Sequence, residues 1–307
     1  MISRTSVKIY LWSLILLCCS CNKNFLDPAN PGAITDDDVW KDQNLIEMYV
    51  NGLYNSRPGY DYLNTLDNIT DEARNNYPNY DPNRILVGQW DQVSNPMDNW
   101  GTYASIRSAN EFLARIDGAT AVDEASRQRM KGEVRFLRAF LYFDLVIRYG
   151  GVPIIDKPQS LDDDLEVSRN TLDECFDFID KELDAAIADL PADAARGKAT
   201  KGAAMALKGR VALFYASPFY NKANDNGRWK KAADACKAVI DLHKYSLYPD
   251  LNKLWLEKGL NPESIFEVQY KLPEKQHGCD SGLKRLALAN NNAGQLSPLQ
   301  ELVDASR

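Results

Sequence analysis

The chain has 307 residues, 45% hydrophobic and 26% charged, which is an ordinary globular composition sufficient for one or two large cores. Its net charge is -7, and removal of the twenty N-terminal residues, which include Arg4 and Lys8, leaves about -9. An acidic chain without a dense basic run is not expected to bind nucleic acid. The chain contains two histidines, His243 and His277, which exclude a multi-histidine metal site and leave little room for Ser-His-Asp or Cys-His catalysis.

The N-terminus carries the pattern of a bacterial lipoprotein signal. Arg4 and Lys8 precede a short apolar run, Ile9–Leu17, which is too short to span a bilayer, and Ser20 and Cys21 follow it. This order predicts cleavage before Cys21 and attachment of diacylglycerol to its thiol. Two or three acyl chains would hold the protein firmly at a membrane.

Two alternatives remain for this segment. In the first, residues 1–20 are an uncleaved anchor or a plain secretory signal and not a lipoprotein signal. In the second, the signal is cleaved at Cys18 or Cys19 and not at Cys21. Cys21 is favoured because the polar sequence NKNFLDPANPG after it is typical of a tether. The predicted organisation is therefore a signal peptide at 1–20, a lipid-anchored tether at 21–35 and one domain over 36–307.

The first predicted helix begins at the acidic triplet Asp36 to Asp38 and runs on through Leu53, with Asn55 near its end. Acidic side chains suit a helix N-terminus, where the partial positive charge lies. A calcium site at the triplet is the alternative to this capping role. After the helix, residues 59–98 form a long irregular segment rich in Asn, Asp, Tyr and Pro. A segment of this length is usually functional or disordered, and its aromatic content favours function.

Helical periodicity then returns in five segments and is followed by one apolar, β-branched stretch that predicts a strand. The predicted helices are 100–117, Met130–Tyr149, Thr171–Leu190, Thr200–Ala216 and Trp229–Leu242, and the predicted strand is Ser264–Tyr270. Thr171 and Glu174 have the spacing of a capping box. Pro191 and Pro218 follow the ends of two of these helices. His243, near the end of another, is interpreted as a helix cap and not as a base.

The helix Met130–Tyr149 has two apolar flanks. At 100° per residue its apolar side chains fall on two stripes roughly 130° apart. The first stripe is Phe136, Phe140, Phe143 and Ile147, and the second is Val134, Leu137, Leu141 and Leu145. Such a helix must be packed on both sides, so we expect it to be an inner helix of a stack. Gly150 and Gly151 are expected to end it.

The predicted helices pair in one order: inner helix, connector, outer helix, then proline. Small residues in Thr200–Ala216 and the opening W-x-x-A-A at Trp229 are similar to tetratricopeptide repeats, although the connectors are unequal. The predicted fold class is mostly α, with irregular tetratricopeptide-like helix-pair repeats decorated with long loops and a few short strands. Cys175, Cys236 and Cys279 lack CxxC spacing, and we expect the first two to be buried free thiols.

Taken in order, these motifs resemble one family. The segments CNKNFLD, DNITDEARNN, Trp90-Asp91, NWGTYASIRSANEFLARI, EVRFLRAFLYFDLVIRYGGVPII, ATKGAAMALKGRVALFYASPFYN and the run from Trp229 through SIFEVQY are similar to the SusD/RagB nutrient-binding outer-membrane lipoproteins. The resemblance covers essentially all of residues 21 to 303. It implies a cell-surface glycan-binding protein of a Gram-negative outer membrane, without enzymatic activity or cofactor.

The resemblance also implies a partner and a length. Members of the family sit as a lid over a SusC-like TonB-dependent β-barrel transporter and hand oligosaccharides to it, with their repeat face against the barrel. They continue well past the segment LSPLQELVDA, so this chain resembles a truncated member. A truncated member that does not function alone is therefore one alternative.

Candidate sugar-binding residues lie between Asp67 and Trp100, where aromatic and polar side chains occur together outside the helices. Aromatic faces stack on sugar rings, while Asp, Asn and Arg bond to sugar hydroxyls. We nominate Trp90 as the platform and name its hydroxyl partners as Asp71, Arg74, Arg84 and Asn95. Packing is the alternative role for both tryptophans of this region. It is favoured for Trp100, at helical spacing with Tyr103, and evenly balanced for Trp90.

Two other functions compete with glycan binding. Glycoside hydrolysis requires a pair of carboxylates in a cleft, but no catalytic motif accompanies the 43 Asp and Glu residues of this chain. A tetratricopeptide scaffold that binds a protein partner is the second rival. The aromatic, Asn-rich segment 59–98 favours glycan binding over such a scaffold.

Overall fold

The computed structural model describes residues 34–56, 69–71, 73–75, 85–89, 91, 98–254, 261–271 and 296–298. Its helices are α1 (Asp36–Val39), α2 (Gln43–Tyr54), α3 (Thr102–Arg115), α4 (Glu124–Tyr149), α5 (Leu172–Asp189), α6 (Lys201–Ala216), α7 (Asn226–Ile240) and α8 (Leu251–Leu254). A 3₁₀ turn, Ile116–Gly118, follows α3, and the strands are β1 (Ala73–Asn75) and β2 (Leu296–Pro298). Among these helices, none is both long and apolar enough to cross a membrane.

The helices pack in the predicted pairs. Helix α4 lies against α5, α6 lies against α7, and α5 joins the two pairs by packing on α6. Helices α2 and α3 contact α4 and each other. The mostly helical fold class with paired repeats is therefore confirmed, and α4 is the inner helix that the two apolar stripes predict.

The first predicted helix is broken in two, which corrects the continuous helix expected from Asp36 to Leu53. Helix α1 ends at Val39, and α2 starts at Gln43. The carboxylate of Asp42 accepts a hydrogen bond from the backbone amide of Asn44 at 2.7 Å and caps the second helix. An Asp at this position competes with helix continuation by satisfying amides of a new first turn.

Helix α4 starts six residues earlier than predicted and ends where predicted. Asp123 caps it by accepting from the Ser126 amide at 2.8 Å. Gly150 closes it with φ of 71°, a conformation that glycine adopts without a side-chain clash. The second apolar stripe is fully buried, and in the first stripe Phe136 and Phe143 are buried while Phe140 and Ile147 are only half-buried.

Among the charged residues between the two stripes of α4, Arg138 is buried and paired. Arg138 donates from Nε to Glu182 of α5 at 2.8 Å and from Nη1 to Asn110 of α3 at 2.6 Å. Its guanidinium carbon also lies 5.6 Å from the ring centre of Phe178. Arg138 therefore connects three helices, and each of its buried partners depends on the others.

A second buried network surrounds Glu133. Its carboxylate accepts from Tyr54 Oη at 2.8 Å, from Lys198 Nζ at 3.0 Å and from Arg129 Nη1 at 2.5 Å. Tyr54 Oη also accepts from the Ala199 amide at 2.9 Å. The network joins α2, α4 and the turn before α6, so α2 and the second helix pair share one carboxylate.

The starts of α5 and α6 follow the local predictions, whereas α7 begins at Asn226, three residues before the predicted start at Trp229. Thr171 and Glu174 form the capping box, and the backbone amide of Thr171 holds the pKa of Glu174 below its usual range. Thr200 caps α6, whose small residues allow α7 to approach closely. A Cβ at Gly209 would lie 3.1 Å from Cys236 Sγ, and Ala212, Ala216 and Ala232 form the buried contact between the two helices.

Two predictions from apolar pattern are wrong. Residues 264–270 do not form a strand, because no neighbouring strand among the described residues offers backbone partners. The chain bends at residues 265 and 266, and Phe266 packs against Phe136, at 5.0 Å between ring centres. Cys236 is exposed, whereas Cys175 is a buried free thiol as predicted, and burial raises its pKa. His243 has φ of 50°, so it takes a left-handed conformation just after α7.

The Arg138–Glu182 pair yields a stability prediction. In Glu182→Leu the guanidinium stays buried without its anion, so we expect the free energy of unfolding to fall by about 3–5 kcal/mol. Asp234→Ala, which breaks the exposed Lys230–Asp234 pair on α7, is the matched control and should change it by less than about 0.5 kcal/mol. Urea denaturation measures both, and equal effects would contradict the role given to Arg138.

Candidate functional site

The nominated sugar-binding residues fall on sparsely described parts of the chain. Arg84, Trp90 and Asn95 lie outside the described residues, as does Cys21. Asp71 is exposed. The backbone of Arg74 lies in β1, which pairs antiparallel with β2, with Arg74 opposite Ser297. This pairing joins the long segment 59–98 to the chain near residue 297.

An aromatic cluster lies where this segment meets α3 and the end of α4. The ring of Trp100 stacks on Tyr149 with centres 4.2 Å apart and planes 16° apart, and Tyr103 lies nearly parallel to it at 6.0 Å. The guanidinium carbon of Arg169 lies 5.2 Å from the centre of the Trp100 ring. All three aromatic residues are half-buried, and Arg169 is exposed.

Hydrogen bonds fix the chain just before Trp100. The backbone amide of Asn99 donates to Tyr149 Oη at 2.5 Å, and Tyr149 Oη donates to Asp98 Oδ1 at 3.1 Å. The Asn99 side-chain amide donates to the buried carboxylate of Asp144. Burial raises the pKa of Tyr149, and the Asp98 carboxylate raises it further, so the phenol stays neutral and can donate. The last turn of α4 thus holds residues 98–100 in place.

Tyr103 anchors the same cluster to the connector after α4. Its hydroxyl donates to the Pro153 carbonyl at 2.6 Å, and burial raises its pKa above the ordinary tyrosine value. Beside it a cavity of about 250 Å³ lies between α3 and the connector. Arg107, Asn110 and Lys157 line this cavity with Tyr103. The Asn110 side-chain amide donates to the Ile155 carbonyl at 2.8 Å and so joins the two walls of the cavity.

The geometry supports the packing role that the sequence favours for Trp100. One neighbour, Tyr149, stacks directly on the indole, and Arg169 lies over it while donating to the carbonyls of Tyr149 and Gly151 at 3.2 and 3.3 Å. Sequence reasoning missed Tyr149 and Arg169. The signal for Tyr149 is its position as the last helical residue before Gly150, since side chains at a helix end face the neighbouring loops. No comparable signal marks Arg169.

Chemically, this region combines aromatic rings with an exposed carboxylate, an amide and a guanidinium. Such a set can bind a polar, ring-shaped ligand through stacking and bidentate hydrogen bonds. Within the described ranges no group of three or more His, Cys, Asp or Glu side chains is placed to hold a metal ion. In the acidic triplet of α1, Asp38 makes a local contact by accepting from the Thr35 hydroxyl at 2.6 Å.

Comparison with known proteins agrees with the fold. A family model for SusD-like proteins, described as starch-binding and associating with the outer membrane, matches residues 24–213. A SusD-like protein of Bacteroides ovatus is 26% identical over 299 residues, which cover 91% of this chain and 52% of that protein. The crystal structure of a SusD-like protein from Bacteroides fragilis is 32% identical, with a TM-score of 0.77, and the match covers 89% of this chain and 54% of that one.

A laminarin-binding SusD-like protein is similar in fold alone, at 22% identity and a TM-score of 0.66 over 75% of this chain and 52% of that one. The chain thus spans about half the length of the relatives it matches. The family model covers more than half of the chain and includes the helices α2 to α5 and most of α6. The chain therefore belongs to the SusD-like family.

Proposed function

We propose that the chain is part of a cell-surface glycan-binding lipoprotein that captures oligosaccharides for import. The observation that carries the proposal is family membership combined with the stacked aromatic cluster at the base of segment 59–98. The cluster fixes one end of the segment that contains Trp90, the nominated sugar platform. Fixing this end in advance reduces the conformational entropy that ligand binding would cost.

The ligand class follows from the side chains available. Sugar rings have apolar faces and hydroxyl rims. In segment 59–98, Trp90 and several tyrosines can stack on the faces. The residues that can bond to the hydroxyls are Asp71, Arg74, Arg84 and Asn95. Starch and laminarin are the first probes, because the family description and one structural relative name them. The proposed role is binding without hydrolysis.

The proposed partner is a SusC-like TonB-dependent transporter in the outer membrane. The protein would cover this transporter and deliver the captured glycan, with its helical repeats against the barrel. Lipidation of Cys21 would keep it at the surface beside the transporter. Support comes from the order Ser20-Cys21 after a short apolar run and from the outer-membrane association of the family.

The sugar-binding proposal is tested by thermal melting of residues 22–307 with soluble starch, laminarin and other polysaccharides. A ligand that binds only the folded chain stabilises it by about 2.7 kcal/mol at a hundredfold excess over Kd, so we expect one glycan to raise Tm. Trp90→Ala should abolish the shift and leave the Tm of the free chain nearly unchanged.

Trp100→Ala and Trp229→Ala are the matched tryptophan variants. Trp100→Ala should lower the Tm of the free chain, because its ring packs on Tyr149, whereas Trp229→Ala, on α7, should preserve the glycan shift. A wild-type melt that no glycan shifts, or an unchanged shift in Trp90→Ala, would contradict the proposal. The first outcome would favour the protein-binding scaffold.

Lipidation has its own test in the full chain expressed in a Gram-negative host. Labelled palmitate should be incorporated into the wild type and lost in Cys21→Ser, while Cys19→Ser should retain it because its cysteine is not the predicted cleavage point. Label that persists in Cys21→Ser would exclude Cys21 as the modified residue.

A further inference from the structure

The cavity between α3 and the connector after α4 is a small site that does not involve the nominated sugar platform. Its volume is about 250 Å³, just below the range of roughly 300–1,000 Å³ for pockets that bind drug-sized ligands. One wall is a single face of α3, where Tyr103, Arg107 and Asn110 recur at helical spacing. The opposite wall is the connector at residues 155–159. The cavity therefore takes a ligand smaller than a drug molecule.

Hydrogen bonds from two helices hold the connector wall in place. Three side chains of α3 donate to connector carbonyls at 2.6, 2.8 and 2.9 Å: Tyr103 to Pro153, Asn110 to Ile155 and Arg107 to Gln159. From α4, Tyr142 Oη accepts from the Ile155 amide at 2.8 Å, and Arg138 donates to the Asp156 carbonyl at 3.1 Å. Because these bonds form without a ligand, binding does not have to order the connector, which lowers its entropic cost.

The lining of the cavity carries two cations and no carboxylate. These cations are Arg107 and Lys157, in a chain whose net charge is -7. Lys157 is exposed, and its ammonium forms no ion pair or hydrogen bond within the described part of the chain. Arg107 pairs with Glu111 at 2.8 Å, but the two side chains are 56% and 37% exposed, so this pair contributes little. An anion in the cavity would therefore meet an unpaired ammonium and a weakly engaged guanidinium.

A second polar cavity, of about 180 Å³, has a different charge arrangement. It lies between residues 193–200 and 261–267, and carboxylates line it together with cations. Arg196 pairs there with Glu267, and Lys244 pairs with Asp193 at 2.6 Å. These cations are already neutralised by their neighbours, so an anion would gain little from them. The cations of the cavity beside α3 are not neutralised by residues of its own lining.

The rest of the lining suits the body of a ring-shaped ligand. Tyr103, Ile106 and Ile155 provide apolar surface. Gln159 is half-buried, and its side-chain amide makes no hydrogen bond with any described residue, so a donor and an acceptor are available for a hydroxyl group. Apolar surface beside two cations complements a ring that has an apolar face and one carboxylate at its edge.

We propose that this cavity binds a small ring compound that carries a carboxylate, supplied either as an acidic monosaccharide or as an aromatic acid. The carboxylate is bound by Lys157 and Arg107, and the apolar face of the ring lies against the Tyr103 side of the cavity. Gln159 bonds to a hydroxyl when the ring carries one. The site is separate from Trp90 and does not rest on the proposed glycan capture.

Ligand-observed NMR titration of the full chain, purified in detergent, tests the site. The probes are galacturonate and benzoate, each with its neutral counterpart, galactose or benzyl alcohol. We expect at least one acid to bind, and its neutral counterpart to bind at least about tenfold more weakly, because the charge-assisted hydrogen bonds are lost. Binding of galacturonate identifies the ligand as an acidic sugar, and binding of benzoate alone identifies it as an aromatic acid. If neither acid binds, or if acid and neutral counterpart bind equally, the proposal is wrong.

Two variants place the bound acid in this cavity. Lys157→Gln should raise Kd at least about tenfold, whereas Lys157→Arg should retain most of the affinity. Lys181→Gln removes an exposed lysine of α5 outside the cavity and is the matched control, with Kd unchanged. Ala104→Phe fills the cavity from its exposed edge without changing any charge and should abolish binding. An unchanged Kd in Lys157→Gln or in Ala104→Phe would overturn the proposal.

Trp90→Ala separates this site from the proposed glycan platform. It should leave the Kd of the acid unchanged, because Trp90 is not among the residues that line the cavity. A tenfold loss of acid binding in Trp90→Ala would contradict a separate site. A wild-type chain that binds the acid but whose Tm no polysaccharide shifts would refute the glycan proposal and support this one.

Discussion

Burial of charged side chains on α4 is the constraint on which the rest of the fold depends. An inner helix with apolar stripes on two flanks brings the charged residues between them into the core, and an unpaired buried charge is strongly destabilising. Arg138 is therefore matched by Glu182 and Asn110, and Glu133 by Tyr54 and Lys198. These pairs determine which helices can lie beside α4 and in which register.

The same helix also positions the candidate site. Its last turn carries Tyr149, which stacks on Trp100 and bonds to the chain at Asp98 and Asn99, so the base of the long segment 59–98 is attached to the most buried element.

Local sequence signals predicted most helix ends, because a cap and its partners lie within one turn of each other. The Thr171–Glu174 box and the stop at Gly150 are examples. Predictions that depend on partners distant in the sequence were less accurate. Residues 264–270 have a strand pattern but no adjacent strand among the described residues, and Phe266 packs on Phe136 instead. Arg169 reaches Trp100 only through tertiary folding, and the sugar role of Trp90 stays a prediction.

Native-state hydrogen exchange of residues 22–307 tests the central claim most directly. If the paired charges make α4 the centre of the fold, amides in the middle of α4 should exchange only by global unfolding and should be the most protected in the chain. Amides of α7, which buries only Ala232, should exchange through smaller openings. Amides of α4 that exchange faster than those of α7 would contradict the account.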